Sequence, residues 1–423
     1  MTGTPRELDL VLFGATGFVG RLTAQHLAEH APDGLRIALA GRSLERLEQV
    51  REDIGPPAGG WPLLVADAHD EDALATLAGR TRLVVTTVGP YLRLGLPLVA
   101  ACAAAGTHYC DLTGEVLFVH RAIADSHAAA RASGARIVHA CGFDSVPSDL
   151  GVMLTADAAH ADAADLGRTR LAVRSLKGLP SGGTIDTFRT QAIAMRESPQ
   201  ARRILGDRWA LVDGPRPGPS GASRQRRDGL PGLVDRVTSM SPVRRDPEND
   251  HFTGPFFMAS FNTRIVARSA SILGYGQGFR YTEYSDYGSG PFGAVRAGVF
   301  SAGLFAGVAG MAFGPTRAVL DRVLPEPGEG PSEESMAAGR FRMEVTAETS
   351  DGGRYRTTVG APYDPGYSGT AIMLGQSALA ILLDADRLPD NGGGVLTPAT
   401  AIGRPLVDRL REHAFTLDTE RCD

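Results

Sequence analysis

The chain has 423 residues and a formal net charge of −5, and 43% of its residues are hydrophobic. This length provides one or two cores of ordinary size, and the acidic balance gives no basis for binding nucleic acid. Four cysteines without a CxxC pair and ten histidines without an HExxH spacing argue against a metal site, and the amino terminus MTGTPRELDL lacks an apolar signal core. We therefore expect a cytoplasmic protein with reduced cysteines and no metal.

The segment LVLFGATGFVGRLTAQHL predicts a strand, a glycine-rich turn and a helix in close succession. Residues 10–13 are typical of a buried parallel strand, and residues 21–27 alternate as a helix does. Gly14 would permit the tight turn, Gly17 the approach of backbone to a pyrophosphate, and Gly20 close packing of the helix on the sheet. GxxGxxG spacings also arise by chance in a chain with 52 glycines, so the flanking strand and helix strengthen the prediction. The candidate cofactor contacts in this turn are Gly14, Ala15, Thr16, Gly17, Phe18, Val19 and Gly20.

A second apolar strand, residues 36–40, ends in Gly41, Arg42 and Ser43 and leads into a helix that the serine would cap. An NAD enzyme would carry an acid near this position for the ribose hydroxyls, whereas the Arg42 guanidinium suits a 2′-phosphate. The pattern favours NADP over NAD, with a solvated arginine at a strand end as the alternative. We count Arg42 and Ser43 among the cofactor contacts.

Later strands deliver further residues to the same sheet edge, because ligands of open parallel sheets gather at the carboxyl ends of strands. WPLLVADAHD ends at Asp67, a candidate adenine contact, and TRLVVTTVGPYL places Thr87, Gly89 and Pro90 beside the nicotinamide half of the cofactor. Tyr91 follows directly. The strand over residues 136–140 brings Asp144 and Ser145 to this edge.

Beyond residue 150 the regular alternation of strand and helix weakens, and residues 201–250 predict a long irregular excursion rich in Pro, Gly and Arg. The segments FNTRIVARSA and GRFRMEVTAETS predict strands of another sheet, and residues 325–336 predict an exposed loop. Residues 368–384 predict an apolar helix, followed by a turn and a last helix.

Residues 297–314, AGVFSAGLFAGVAGMAFG, carry no charge and fall slightly short of the roughly 20 residues that a membrane-spanning helix needs. We expect a buried helix or small-residue hairpin in the second domain. A lipid-facing surface is the alternative, which would make the protein peripheral at the membrane.

The motifs GATGFVG, ALAGRS, TTVGPY, GLPLVAACAAAGTHYCDLTGE, CGFDSVPSDLG and GGVLTPA resemble those of the saccharopine dehydrogenase-like family, and more narrowly its trans-acting enoyl reductases. The resemblance covers nearly the whole chain. Short-chain dehydrogenases share the GATGFVG opening, but their Tyr-x-x-x-Lys pair cannot exist here, since Lys177 is the single lysine and Val173 stands four residues before it.

This resemblance implies an α/β fold, a Rossmann-type parallel sheet with an inserted mixed α+β second domain. The implied boundaries are an NADP-binding Rossmann domain over residues 1–150, completed by C-terminal helices over residues 365–423, and an inserted substrate or interaction domain over residues 151–364. The implied activity is NADPH-dependent reduction of an enoyl thioester held by a lipid-forming polyketide synthase.

Reduction of an enoyl thioester needs a hydride at the β-carbon, stabilisation of the enolate oxygen and a proton for the α-carbon. The candidate donors near the nicotinamide edge are Tyr91, Ser145, and Asp144 if burial keeps it protonated. Each also has a structural interpretation: Tyr91 packing under the cofactor, Ser145 preceding a turn, and Asp144 capping the next segment.

Two other functions stay open. A dehydrogenase acting on an amino-acid-derived imine would want an arginine clamp for carboxylates, which Arg174, Arg189, Arg264 and Arg280 could form. A non-catalytic NADP-binding protein at a lipid surface would keep the cofactor site without turnover.

Overall fold

Two seven-stranded sheets organise the chain in this computed structural model, which describes residues 6–178, 182–214, 216, 243–246, 249–312 and 330–422. The strands in chain order are β1 (Leu8–Phe13), β2 (Ile37–Gly41), β3 (Leu63–Val65), β4 (Thr81–Thr86), β5 (His108–Asp111), β6 (Arg136–Val138), β7 (Leu166–Lys177), β8 (Arg244–Arg245), β9 (Phe252–Gly254), β10 (Arg280–Asp286), β11 (Arg340–Thr349), β12 (Arg354–Ala361), β13 (Gly394–Leu396) and β14 (Thr416–Arg421).

Helices lie between most of these strands. In chain order they are α1 (Phe18–His30), α2 (Leu44–Ile54), α3 (Glu71–Arg80), α4 (Tyr91–Leu94), α5 (Leu96–Ala105), α6 (Val116–Ser133), α7 (Val146–Ala161), α8 (Gly182–Glu197), α9 (Pro199–Gly206), α10 (Ala259–Leu273), α11 (Gly290–Ala312), α12 (Glu333–Ala337), α13 (Ser368–Leu383), α14 (Pro398–Ala401) and α15 (Arg404–Glu412), with a short 3₁₀ turn at Pro56–Ala58.

The first sheet is entirely parallel and has the order β3-β2-β1-β4-β5-β6-β13. The first six strands thus follow the Rossmann order, and the direction of winding reverses between β1 and β4. Every residue of β1 is buried, as expected of a strand covered on both faces. In register, Val11 pairs with Ala38 on one side and with Val84 on the other. The expected Rossmann-type sheet is confirmed.

The second sheet is mixed, in the order β14-β12-β11-β7-β10-β9-β8. Its central strand, β7, runs antiparallel to β11 and parallel to β10. Helix α7 packs on this sheet, where a Cβ on Gly151 would lie 3.0 Å from Val359 and 3.1 Å from Val345. The expected mixed α+β region beside the Rossmann sheet is therefore present.

The carboxyl-terminal segment contributes to both sheets. Helix α13 packs on α1, where the Gln376 side chain lies 2.8 Å from Nε2 of His26, and β13 extends the parallel sheet beside β6. Strand β14 instead pairs with β12 in the second sheet. The boundaries at residues 150 and 365 stay predictions, and β14 is a return to the second sheet that the sequence did not indicate.

The prediction of a strand in FNTRIVARSA is wrong, because residues 261–270 lie within α10. Its β-branched residues suggested a strand, but the buried side chains Phe261, Ile265, Val266 and Ala270 recur at helical spacing. The strand predicted in GRFRMEVTAETS is confirmed as β11.

Helix α11 contains the described part of the uncharged segment 297–314, whose last two residues lie outside the described ranges. Its inward face is made of small residues, Gly293, Ala297 and Ser301. Large apolar side chains face outward, with Phe292 at 79% and Val299 at 69% exposure. The expectation of a buried helix is therefore wrong for this outward face. Within the described ranges, every helix falls short of the length and apolarity that crossing a bilayer requires.

Two of the irregular segments lie partly outside the described ranges. Most of the predicted excursion over residues 201–250 falls there, although α9, at its start, and β8 are described. Of the predicted loop over residues 325–336, the described part begins at residue 330 and runs into the short helix α12, whose side chains are mostly exposed.

Candidate active site

A cleft of about 760 Å³ opens at the carboxyl edge of the parallel sheet. One wall comes from the segments that follow the first six strands, β1 to β6, and the other from α8, the start of α10 and the segment before α13. The cleft therefore lies where the sheet order reverses, which is the usual ligand position in open parallel sheets.

The turn between β1 and α1 requires glycine at two positions. Gly14 has a φ of 94°, and a Cβ there would lie 2.7 Å from Oγ1 of Thr87. A Cβ on Gly20 would lie 2.1 Å from the Gly14 carbonyl oxygen, so only glycine lets α1 approach the turn this closely. The Thr87 hydroxyl donates to the Gly14 carbonyl at 3.0 Å and joins the turn to the end of β4. This cradle and the amino end of α1 fit the pyrophosphate of a dinucleotide.

The structure brings most of the expected cofactor contacts together along the cleft: Gly14, Thr16, Gly17, Phe18, Val19, Gly20, Arg42, Asp67, Thr87, Gly89 and Pro90. Ala15 and Ser43 do not line it. Ala15 is fully buried beneath the turn, and the Ser43 hydroxyl caps α2 by accepting the Arg46 N–H at 3.3 Å. The individual contacts to the cofactor stay predictions.

Positive charge is concentrated at the outer end of the cleft. Arg42 and Arg46 both line it, and both are exposed. Asp67 accepts hydrogen bonds from the backbone N–H and the ring of His69, each at 2.9 Å, and these bonds hold its pKa below the usual range. Arg46 was missed from the sequence, although its position in the first turn of α2, four residues after Arg42, was a signal.

The Tyr91 ring lines the inner end of the cleft, but its hydroxyl is engaged with the backbone. It donates to the Thr86 carbonyl at 3.2 Å and accepts the Leu112 N–H at 3.3 Å. Burial raises the pKa of Tyr91 well above its usual value, and its ring packs against Phe118 with 5.6 Å between ring centroids. The hydroxyl therefore positions the turn after β4.

Asp144 and Ser145 are adjacent in sequence but differ in their access to the cleft. Asp144 lines it, and burial, reinforced by the charge of Asp111, raises its pKa to about 7. Ser145 has no exposed surface and donates its hydroxyl to Oδ1 of Asn262 at 2.9 Å. Of this pair, only Asp144 presents a titratable group to a ligand.

Glu115 is a cleft residue that sequence reasoning missed. It lines the wall near Tyr91, although only 1% of its surface is exposed, and burial raises its pKa to about 7. The one sequence feature that pointed to Glu115 was its position at the end of the segment THYCDLTGE, one residue before α6. The neighbouring Asp111 is structural, since its carboxylate accepts the Tyr109 hydroxyl at 2.9 Å and lies 2.7 Å from Nδ1 of His139.

The part of the cleft beyond Asp144 is mainly apolar, with Asp186, Thr187 and Gln191 of α8 as its polar lining residues. Its apolar side chains include Leu94, Leu112, Phe143, Leu176, Phe257 and Met258. The arginines considered for a carboxylate clamp do not line the cleft. Instead, Arg174 pairs with Glu344 at 2.8 Å and Arg189 with Asp186 at 3.3 Å. Arg264 donates to backbone carbonyls, including that of Asp207 at 3.0 Å.

No group of three or more His, Cys, Asp or Glu side chains within the described ranges is arranged to hold a metal ion. Four carboxyl groups line the cleft, from Asp67 at its outer end and from Glu115, Asp144 and Asp186.

Comparison with known proteins supports NADP as the cofactor of this cleft. Residues 10–138 match the family model of the saccharopine dehydrogenase NADP binding domain. A Mycobacterium tuberculosis protein provisionally named trans-acting enoyl reductase Rv2449c is 45% identical over 441 aligned residues, covering 100% of this chain and 99% of its own length. A Mycobacterium ulcerans trans-acting enoyl reductase is 42% identical over 438 aligned residues, covering 100% of both chains.

The chain belongs to the trans-acting enoyl reductase family. Because residues 10–138 form a saccharopine dehydrogenase NADP binding domain, it is an NADP-dependent oxidoreductase, as the sequence predicted. The saccharopine dehydrogenase (L-Glu forming) of Saccharomyces cerevisiae has the same fold, with a TM-score of 0.55 at 15% identity over 98% of this chain and 100% of that chain.

Proposed function

We propose that the protein reduces the carbon–carbon double bond of an enoyl thioester, with NADPH as the reductant. The observation that carries this proposal is the division of the cleft into an arginine-lined dinucleotide end and an apolar inner end. A mainly apolar chamber suits an acyl chain, and its described lining residues offer no cationic side chain to a substrate with several carboxylates. The names of the relatives at 42% and 45% identity support the same reaction.

NADPH, when bound, supplies a hydride to the β-carbon. The α-carbon then needs a proton, and we assign its delivery to Asp144, the carboxyl group at the border between the two ends of the cleft. With a pKa of about 7, a substantial fraction of Asp144 carries a proton at neutral pH. Tyr91 and Ser145 stay predictions as donors, and the engagement of their hydroxyls with Thr86 and Asn262 favours positioning roles for them.

A polyketide synthase that lacks its own reductase domain is the partner we propose as the carrier of the thioester. The name trans-acting, carried by the relatives, supports this partner. The intermediate would enter the cleft with its acyl chain among the apolar side chains.

We propose a second contact, in which the exposed face of α11 meets a lipid surface or a long acyl chain. Phe292, Val295 and Val299 lie on one side of this helix at spacings of three and four residues, each more than 60% exposed. Arg296 is the single charged residue of α11, and its sign suits anionic lipid. Sedimentation with anionic vesicles tests the contact, and the double variant Phe292→Ser, Val299→Ser should abolish binding if this face carries it.

Reduction of an amino-acid-derived imine is the competing activity. It would need basic side chains to hold substrate carboxylates, and the cleft-lining arginines of the described residues, Arg21, Arg42 and Arg46, all belong to the dinucleotide end. A non-catalytic NADP-binding protein is the third possibility, and NADPH oxidation assays distinguish it from both activities.

The deciding experiment follows the loss of NADPH absorbance with purified protein. One reaction contains a long-chain α,β-unsaturated acyl thioester, and the other contains 2-oxoglutarate with lysine. Oxidation with the thioester alone is the expected result. Oxidation with the keto acid and amine alone would replace the proposal by imine reduction, and NADPH binding without oxidation in either reaction would indicate a non-catalytic protein.

A further inference from the structure

The turn from Gly89 to Leu92 forms the inner end of the dinucleotide half of the cleft. The Glu115 carboxylate accepts hydrogen bonds from the backbone of this turn. One of its oxygens accepts the Tyr91 N–H at 2.8 Å and the other accepts the Leu92 N–H at 2.9 Å. Both oxygens are thus used by backbone groups of the turn that the nicotinamide would contact.

We propose that Glu115 is a positioning residue for the cofactor, which sets the turn between Gly89 and Leu92 to receive the nicotinamide half of NADP. This role goes beyond the proposed reduction, because it concerns binding of the cofactor and applies whatever the substrate is.

The argument rests on the acceptor capacity of a carboxylate. An ionised Glu115 accepts two N–H bonds at once, whereas a protonated carboxyl turns one oxygen into a donor, which would then face a backbone N–H. A buried N–H without an acceptor is unfavourable, so the turn would be released rather than held. Glu115 is buried, and water cannot readily replace the lost acceptor.

The surroundings of Glu115 raise its pKa, so that the change between the protonated and the ionised carboxyl falls near neutral pH. Burial is the main cause of its pKa of about 7, and the charges of Asp111 and Asp186 raise it further, while the two N–H bonds lower it. Asp186 is paired with Arg189, and Asp111 with His139. Asp144 also lies close, since a Cβ on Gly114 would be 3.5 Å from its Oδ1. As pH rises through about 7, Glu115 ionises and the turn becomes fixed.

The test measures the dissociation constant of NADPH by its nicotinamide fluorescence, without substrate, from about pH 6 to about pH 8. We expect the native protein to bind several-fold more tightly at the higher pH. Glu115→Gln, whose amide offers only one acceptor, should bind about tenfold more weakly at the higher pH and lose the pH dependence. Glu115→Asp, which keeps the charge, should retain the dependence at reduced affinity.

A matched variant separates this role from loss of any buried acid. Glu283 is buried outside the cleft with a pKa also of about 7, so Glu283→Gln should leave NADPH binding and its pH dependence unchanged. The proposal is overturned if Glu115→Gln, folded by circular dichroism, binds NADPH with the native affinity and pH profile, or if Glu283→Gln removes the dependence. Should Glu115→Gln not fold, a Glu115→Asp protein without pH dependence overturns it equally.

Because no substrate is present, this result is independent of the proposed function. A native pH profile for Glu115→Gln with intact enoyl reduction would reject the positioning role alone. Absent enoyl reduction with the expected binding profile would reject the proposed reaction alone.

Discussion

The two ends of the cleft are built in different ways. The dinucleotide end is centred on one βα turn, in which Gly14 is required by its positive φ and by the adjacent Thr87 side chain and Gly20 by the Gly14 carbonyl, and exposed arginines lie at its outer edge. The inner end collects single residues from distant segments, such as Glu115, Asp144 and Met258. The first end depends on local backbone geometry, whereas the second depends on how the sheets and helices pack together.

The largest effect should come from breaking the backbone geometry of the dinucleotide end. Gly20→Ala would place a Cβ 2.1 Å from the Gly14 carbonyl oxygen, and we expect NADPH affinity to fall by roughly 100-fold or more. Gly60→Ala is the matched control, because a Cβ there meets no atom within 4 Å. Calorimetric titration with NADPH, alongside a thermal unfolding curve, measures the effect; native affinity in Gly20→Ala would contradict the assignment of this turn.

A chemical change at the inner end should affect turnover and leave binding intact. Asp144→Asn should lower kcat by about 100-fold, because the α-carbon loses its proton donor, with little change in the NADPH dissociation constant. In the native enzyme, kcat should fall as pH rises through about 7, since Asp144 is then deprotonated. A variant with native kcat and the native pH profile would remove Asp144 from the mechanism; the exposed Asp72→Asn serves as control.

The arginines at the outer edge of the dinucleotide end should determine which nicotinamide cofactor is preferred. Arg42→Ala and Arg46→Ala should each weaken NADPH binding by about tenfold through loss of contacts to the 2′-phosphate, while NADH binding changes little. Arg121→Ala, an exposed position on α6, is the control. An unchanged ratio of NADPH to NADH affinity in the double variant would mean that these guanidinium groups do not recognise the phosphate.

The smallest effects are expected at the hydroxyls behind the inner end. Tyr91→Phe and Ser145→Ala should each change kcat by only about twofold, because both hydroxyls are bonded within the protein. Steady-state kinetics at saturating NADPH tests this. A loss of kcat comparable to that of Asp144→Asn, in either folded variant, would return that hydroxyl to the catalytic step.

The sequence alone determined the parallel sheet, the glycine turn and the NADP preference, because strand, turn and helix signals there lie within a few residues of one another. It also indicated Asp144, since the carboxyl end of a parallel strand fixes which edge a residue reaches.

Only the tertiary structure decided the rest. α10 is a helix despite its β-branched residues and is joined to α7 by the hydrogen bond of Ser269 to Asp149, and burial separated Ser145 from the cleft while leaving its neighbour Asp144 on the wall. Glu115 acquired its role from two backbone N–H groups more than twenty positions earlier in the chain. Such contacts join residues distant in sequence, and neither periodicity nor a local motif records them, so they become visible only once the chain is folded.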